Sequence, residues 1–195
     1  MKRSSIANAL FAFFVGLLLL PKAGISQAAP KIICYITIEG QQQGVIKGDG
    51  KRKGMEGKIS GYGYSYSIVS PRDASSGIAT GRRVHGGLRI TKGIDISSPK
   101  LMQALVNNEV LKSVTIEFWE NSMMAASGVG SEVKYYTVKL TNASITGFNQ
   151  TGGTYLSEKD QRTEKLLEEL TLSYQKIEVT SMDGVNSVSA MDEWR

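Results

Sequence analysis

The chain has 195 residues, with 23 Lys and Arg against 18 Asp and Glu, a single His and a single Cys. That length suits one domain able to bury a substantial core. One His and one Cys exclude a metal site built from several such ligands and an intrachain disulfide framework. The 21 Gly against 4 Pro match strands joined by turns better than a disordered chain.

Lys2 and Arg3 precede an apolar stretch, Ile6 to Leu20, in which only Asn8 is polar, followed by Pro21 and the small-residue run AGISQAAP. A charged start, an apolar centre and a small-residue exit describe a secretory signal peptide, cleaved after Ala28. The stretch is shorter than the roughly 20 apolar residues that span a bilayer, so no stable membrane insertion is expected. The expected division is therefore a leader over residues 1–28 and one domain over 29–195. Without the leader 20 basic residues face 18 acidic ones, a net charge of +2. That balance gives no basis for a nucleic-acid partner. The run Lys47, Lys51, Arg52 and Lys53, broken by glycines, reads as a solvated loop.

Lys31–Glu39 (KIICYITIE) predicts a strand with Ile32, Cys34, Ile36 and Ile38 on its buried face. Gly44–Gly54 reads as loop. Gly57–Val69 predicts one long strand with Tyr62, Tyr64 and Tyr66 on one face, and small residues opposite that permit close approach or a bulge. Pro71–Arg83 has no sustained period and is too long for a tight hairpin; loops of that length are usually functional or mobile. Strand character returns over Val84–Thr91. Ser98 as N-cap and Pro99 at the first helical position open a helix with Leu101, Ala104 and Leu105 along one stripe, ending near Asn107-Asn108.

Ser113–Glu120 and Val133–Phe148 predict two strands, and Glu168–Ser181 a further long one. Between them Gln150–Lys165 is polar and turn-rich, with a possible short helix over Ser157–Leu167; Met182–Arg195 reads as a tail. The result is mainly β: six or seven strands and one flanking helix, with no βαβ rhythm, in an antiparallel barrel or sandwich.

Catalytic equipment is sparse. His85 is the sole imidazole and no G-x-S-x-G elbow is present. Cys34, inside an apolar strand face, reads as a small buried hydrophobe. Glu168-Glu169 and Asp192-Glu193 read as solvated strand and tail positions. No phosphate loop occurs. No catalytic residue, cofactor or metal is expected, and the chain is read as a non-enzyme.

Several segments together resemble one family. The strand ICYITIEG (Ile33–Gly40) comes first. GRRVHGGLRITKGIDISSPKLMQAL (Gly81–Leu105) follows: a G-x-R-V-H element, a strand, an acidic residue and an S-P-x-L-x-x-A-L helix. YYTVKLTNASI (Tyr135–Ile145), LTLSYQKIEV (Leu170–Val179) and the ending MDEWR complete the order. This combination is similar to the Hcp family, the tube-forming proteins of bacterial type VI secretion. The resemblance implies a small antiparallel β-barrel with a flanking helix, forming a homohexamer whose rings stack into a hollow tube. It implies a contractile sheath and a trimeric spike as partners, and small effector proteins in the lumen.

The resemblance also implies that Ser70–Arg83 is the loop reaching a neighbouring ring, with Pro71, Arg72, Asp73, Arg82, Arg83 and His85 as its candidate residues. On this reading His85 is a structural hydrogen bonder. Trp119 is equally an interface anchor or a core residue, and Trp194 equally an anchor or part of a disordered tail. Family members need no signal peptide, so the leader is a departure, unless translation starts at a non-Met codon near Leu17–Leu20. The implied location is secreted, or periplasmic where the leader is cleaved. The alternative is a Sec-exported sandwich or barrel that binds a surface without forming tubes.

Overall fold

A computed structural model describes residues 31–121, 132–152 and 166–194. The expected leader, and residues 157–165 of the expected short helix, lie outside the described residues. In chain order the strands are β1 (Cys34–Gly40), β2 (Gly44–Ile46), β3 (Ile59–Ser65), β4 (Ile68–Val69), β5 (Val84–His85) and β6 (Leu88–Gly93). Helix α1 (Ser98–Val106) follows, then β7 (Leu111–Asn121), β8 (Glu132–Thr151), β9 (Leu167–Met182) and β10 (Ser187–Glu193).

Six strands run in the order β9-β6-β3-β1-β7-β8, and β8 pairs back onto β9, so the antiparallel sheet closes into a barrel. Closure rests on the two longest strands, paired from Tyr136↔Ser181 to Thr151↔Leu167. The alternate apolar residues of each strand point inward, as strand geometry requires. Ile36, Ile38, Ile59, Leu88, Ile90, Val114, Ile116, Leu140, Leu170 and Leu172 are all at most 1% exposed. In β8 the buried positions change phase from Val138 and Leu140 to Ala143 and Ile145. The change falls at Asn142, whose φ of +49° lies in the left-handed region that Asn tolerates better than most residues.

Several element boundaries differ from expectation. Ile32 lies outside β1 and is 40% exposed, while Cys34, Ile36 and Ile38 form the buried face. The Gly44–Gly54 segment contains β2, which folds back on β1 because Ile46 has core to fill. The expected long strand Gly57–Val69 splits into β3 and β4, with a register shift between Gly61 and Gly63. At Gly61 a side chain would collide with the Cys34 sulfur, so the glycine serves close approach. Val84–Thr91 likewise divides into β5 and β6 around Gly86-Gly87. The tail holds a further strand, β10, paired with β9 from Ser187↔Met182 to Glu193↔Lys176.

Helix α1 begins one residue earlier than expected. Ser97 occupies the N-cap position without a side-chain capping bond, and Pro99 stays in the first turn. The helix buries Leu101 and Ala104 and ends as expected, with Asn107 at the C-cap and Asn108 in the left-handed region at φ +50°. Glu109, 2% exposed, then accepts hydrogen bonds from the backbone N–H of Gln42 (2.7 Å) and Gln43 (2.9 Å). This carboxylate ties the β1–β2 turn to the end of the helix.

The Ser98 side chain points instead at an ion. Lys92 on β6 is 0% exposed, and its Nζ lies 2.6 Å from Glu168 Oε1, 2.9 Å from Asp95 Oδ1, 2.7 Å from the Gly93 carbonyl and 3.1 Å from Ser98 Oγ. Ser98 Oγ donates to Glu168 Oε1 (3.0 Å), and Gln150 Nε2 donates to Glu168 Oε2 (2.9 Å). Glu168, expected to be solvated, is 1% exposed; its neighbour Glu169 is only partly covered. Burial raises the Asp95 carboxyl, but hydrogen bonds from Ser97 and Lys92 outweigh it and hold the group below its ordinary value.

Removing the one cation of this network leaves two carboxylates, Asp95 and Glu168, buried without compensation. Lys92→Met is expected to cost about 3–5 kcal/mol in urea unfolding, whereas the triple change Lys92→Met, Asp95→Asn and Glu168→Leu costs much less. A single variant as stable as the parent would show that the ion pair does not hold the barrel.

Candidate functional site at the root of the long loop

The segment between β4 and β5 is an ordered arm built on its own hydrogen bonds. Thr80 N–H donates to the Pro71 carbonyl (3.0 Å), Asp73 N–H to the Ile78 carbonyl (2.9 Å) and Gly77 N–H to the Asp73 carbonyl (2.9 Å). Arg72 and Ala79 form a β-bridge, and Arg72 Nη1 donates to the Gly77 carbonyl (3.0 Å). Asp73 Oδ1 accepts from Ser75 N–H (3.0 Å), Ser76 N–H (2.8 Å) and Ser76 Oγ (2.9 Å). Bonds from Ser76 hold the Asp73 carboxyl below its ordinary value. Gly77, at φ +68°, supplies the backbone conformation the turn needs.

Apart from the half-buried Pro71, residues 70–84 are exposed, including the apolar Ile78 (68%) and Val84 (58%). The arm therefore projects a defined shape that carries apolar surface.

At its root the arm meets the C-terminal strand. Arg83 Nε and Nη2 form a fork on the two carboxylate oxygens of Asp192. His85 is nearly buried, its side chain 8% exposed, and its Nε2 donates to Asp192 Oδ2 at 2.9 Å. His85 Nδ1 lies 3.3 Å from the Tyr174 hydroxyl. Burial, together with neighbouring Tyr66, pushes the Tyr174 hydroxyl well above its ordinary value, so it stays protonated. The Trp194 ring stacks on His85 with centroids 4.0 Å apart and planes at 27°, and meets Tyr174 edge-on at 5.0 Å. A cleft of about 420 Å³ opens beside this cluster, lined by Arg82, Arg83, Gly86, Gly87, Tyr174 and Trp194 among others.

The structure thus divides the sequence candidates. Arg83 and His85 come together at the root, with Arg82 on the cleft wall; Pro71, Arg72 and Asp73 form the far part of the arm. Asp192, Tyr174 and Trp194 were not recognised as partners. Asp192 is only partly exposed at the centre of the cluster, and Trp194 packs on the core, which corrects the readings of solvated and disordered tail. The aromatic and acidic character of MDEWR was legible, but nothing local indicates that it meets a residue more than 100 positions earlier.

Trp119 lies half-buried outside the core, at a second cleft of about 620 Å³. Arg52, read as solvated, sits over the Trp119 and Tyr35 rings at 5.8 and 5.7 Å and pairs with Glu132. Burial pushes the Cys34 thiol up to about 12, leaving no thiolate nucleophile near neutral pH. Among the described residues no group of three or more His, Cys, Asp or Glu is placed to hold a metal ion. No described helix is long and apolar enough to cross a membrane.

A closed barrel, one helix and a projecting arm can be compared with known proteins. Residues 35–180 match the family model described as type VI secretion system effector, Hcp. The chain belongs to the Hcp family. A relative named major exported protein, from Pseudomonas aeruginosa, is 30% identical, covering 83% of this chain and 94% of its own. Among solved structures, a mutant of the Hcp1 protein from E. coli EAEC 042 superposes with a TM-score of 0.69 at 28% identity, covering 85% of this chain and all of that one. The secreted protein Hcp3 from Pseudomonas aeruginosa gives 0.63 at 26%, covering 85% and 99%. This Hcp protein is therefore a component of the type VI secretion tube, the known role of its family.

The root carries a pH dependence of definite sign. The Arg83 hydrogen bonds, aided by His85 and opposed by burial, hold the Asp192 carboxyl below its ordinary value of 3.8. Its contribution is complete above the ordinary carboxylate range and is lost as pH falls through its own lower value. Acid titration followed by tryptophan fluorescence is expected to show a transition below about pH 4. Asp192→Asn should lack it, and an identical transition in that variant would exclude Asp192 as its source.

Proposed function

We propose that this Hcp protein is a non-enzymatic ring-former. In this reading six copies close into a ring, rings stack into a hollow tube, and the arm Ser70–Arg83 reaches the neighbouring ring. The observation that carries the reading is the arm itself. A closed ring of strands has no free edge to offer a partner, so association falls to its outward side chains and to the parts outside it. Among these the arm is internally bonded, exposed and partly apolar at Ile78 and Val84. Ring closure needs a heterologous contact whose rotation closes, and stacking needs a second contact that does not.

The sheath, the trimeric spike and small lumen effectors are the partners this assembly implies. Secretion through that system is the expected route, supported by a relative named as an exported protein. We assign the working domain to residues 29–195. Amino-terminal sequencing of the native protein tests the leader: Ala29 at the start means cleavage and periplasmic export, while an intact or shorter uncleaved start favours delivery through the tube.

Light scattering on the purified domain is expected to give hexamers, with stacked rings at higher concentration. Deleting Pro71–Gly81 should leave the protomer folded and the hexamer closed but weaken stacking. A monomeric or dimeric parent would overturn the ring reading, and a shortened variant that stacks as readily as the parent would remove the arm from it.

A further inference from the structure

The arm is not hydrogen-bonded into the barrel sheet. Its base, β4 paired with β5, is a separate two-stranded sheet of two residues on each side, and a ribbon that short does not hold an orientation by itself. The chain reaches the barrel again through Gly86-Gly87. Gly86 N–H donates to the Ser67 carbonyl (2.9 Å), and a side chain at Gly87 would come 2.7 Å from Thr171 Cγ2. These glycines let the foot of the arm lie close to the barrel but supply no side chain to hold it there.

Tyr66, before β4, packs against Tyr174 of β9 and against His85, and on the returning side Arg83 and His85 both fasten to the C-terminal strand. Along β10 every residue is exposed except Asp192, which is partly covered, as is the following Trp194. Both side chains engage the arm's foot, Asp192 through Arg83 and His85 and Trp194 through its stack on His85, and Arg83 Nη2 also donates to the Glu193 carbonyl (3.5 Å). Trp194 is itself seated against Tyr174 of β9, and its backbone N–H donates to the Gln175 carbonyl (3.1 Å). The cleft beside these residues, lined by the foot itself from Arg82 to Gly87 and by Tyr174 and Trp194, leaves room for the foot to move when the fastening is lost.

We infer that Asp192 of β10 and Trp194 just after it form a latch that positions the stacking arm, so that these two residues govern whether the arm is presented to the next ring. This rests on the stacking role proposed above. A change at either residue would then act on stacking at a distance while the barrel stays intact. Asp192 and Trp194 are positioning residues, acting on the arm through Arg83 and His85.

The test uses the whole domain, with Trp194→Ala, Asp192→Asn and the conservative Trp194→Phe. Amide exchange at residues 83–86 is read in dilute, unstacked protein, and stacking is read by light scattering against concentration. Trp194→Ala and Asp192→Asn are expected to speed exchange at the foot and weaken stacking by up to about tenfold each, the size of one lost aromatic or charge-assisted contact. Exchange in the barrel strands and hexamer formation should be unchanged, and Trp194→Phe should restore most of the effect.

Should Trp194→Ala also loosen the barrel, Asp192→Asn, which removes no ring from the core's edge, gives the reading alone. Unchanged exchange at the foot in both variants overturns the latch. So does faster exchange with undiminished stacking, provided that deletion of Pro71–Gly81 does weaken stacking in the same assay. If that deletion has no effect, the stacking role is what fails, and exchange at the foot still reports whether the fastening exists.

Discussion

The ammonium of Lys92 sits where four parts of the chain must agree. It lies on β6, directly opposite Glu168 of β9 in the strand register, and reaches Asp95 and Ser98 at the entry to α1. Gln150 of β8 completes the second oxygen of Glu168. An ion stripped of water costs several kcal/mol unless its partners are in place, so the low-energy arrangement is the one in which all four elements meet. Barrel closure and the placement of the helix therefore share one centre. Neither could shift by a residue without leaving a buried charge exposed to apolar neighbours.

Closure in turn decides how the molecule can work with others. Pairing β8 to β9 consumes the backbone groups that an open sheet would present. What remains outside is β10, the outer face of α1 with Met102 and Val106 exposed, and the arm. The arm is organised differently from the barrel. Its shape comes from local hydrogen bonds around Asp73 and Gly77, and no part of it contributes to the core. The two systems join at Arg83 and His85, where a charge-assisted fork and an aromatic stack replace the hydrogen-bond ladder.

The strands were legible where apolar alternation and burial coincide. Cys34, Ile36 and Ile38, or Leu170 and Leu172, read as an inward face and are one. The helix was legible from Ser-Pro and its Leu101–Ala104 stripe, and its end from Asn107-Asn108. Alternation failed where the backbone departs from a plain strand: at the break between β3 and β4, and at Asn142, where the buried phase changes. It also failed for β10, which buries no apolar side chain and so has no inward face to read. Charge was misread for a similar reason. Glu168 and Asp192 look like surface carboxylates until Lys92, 76 positions from the first, and His85, 107 positions from the second, are brought alongside.

Periodicity, turn residues and the order of the motifs belong to the sequence, because each depends on neighbours within a few positions along the chain. They were enough for a β-rich domain with one helix, a long loop and a resemblance to tube proteins. The closure of the barrel, the burial of Lys92 with Glu168 and the fastening of the arm to Asp192 and Trp194 belong to the tertiary structure alone. Each depends on which groups distant in sequence come together in space, and no local pattern encodes that.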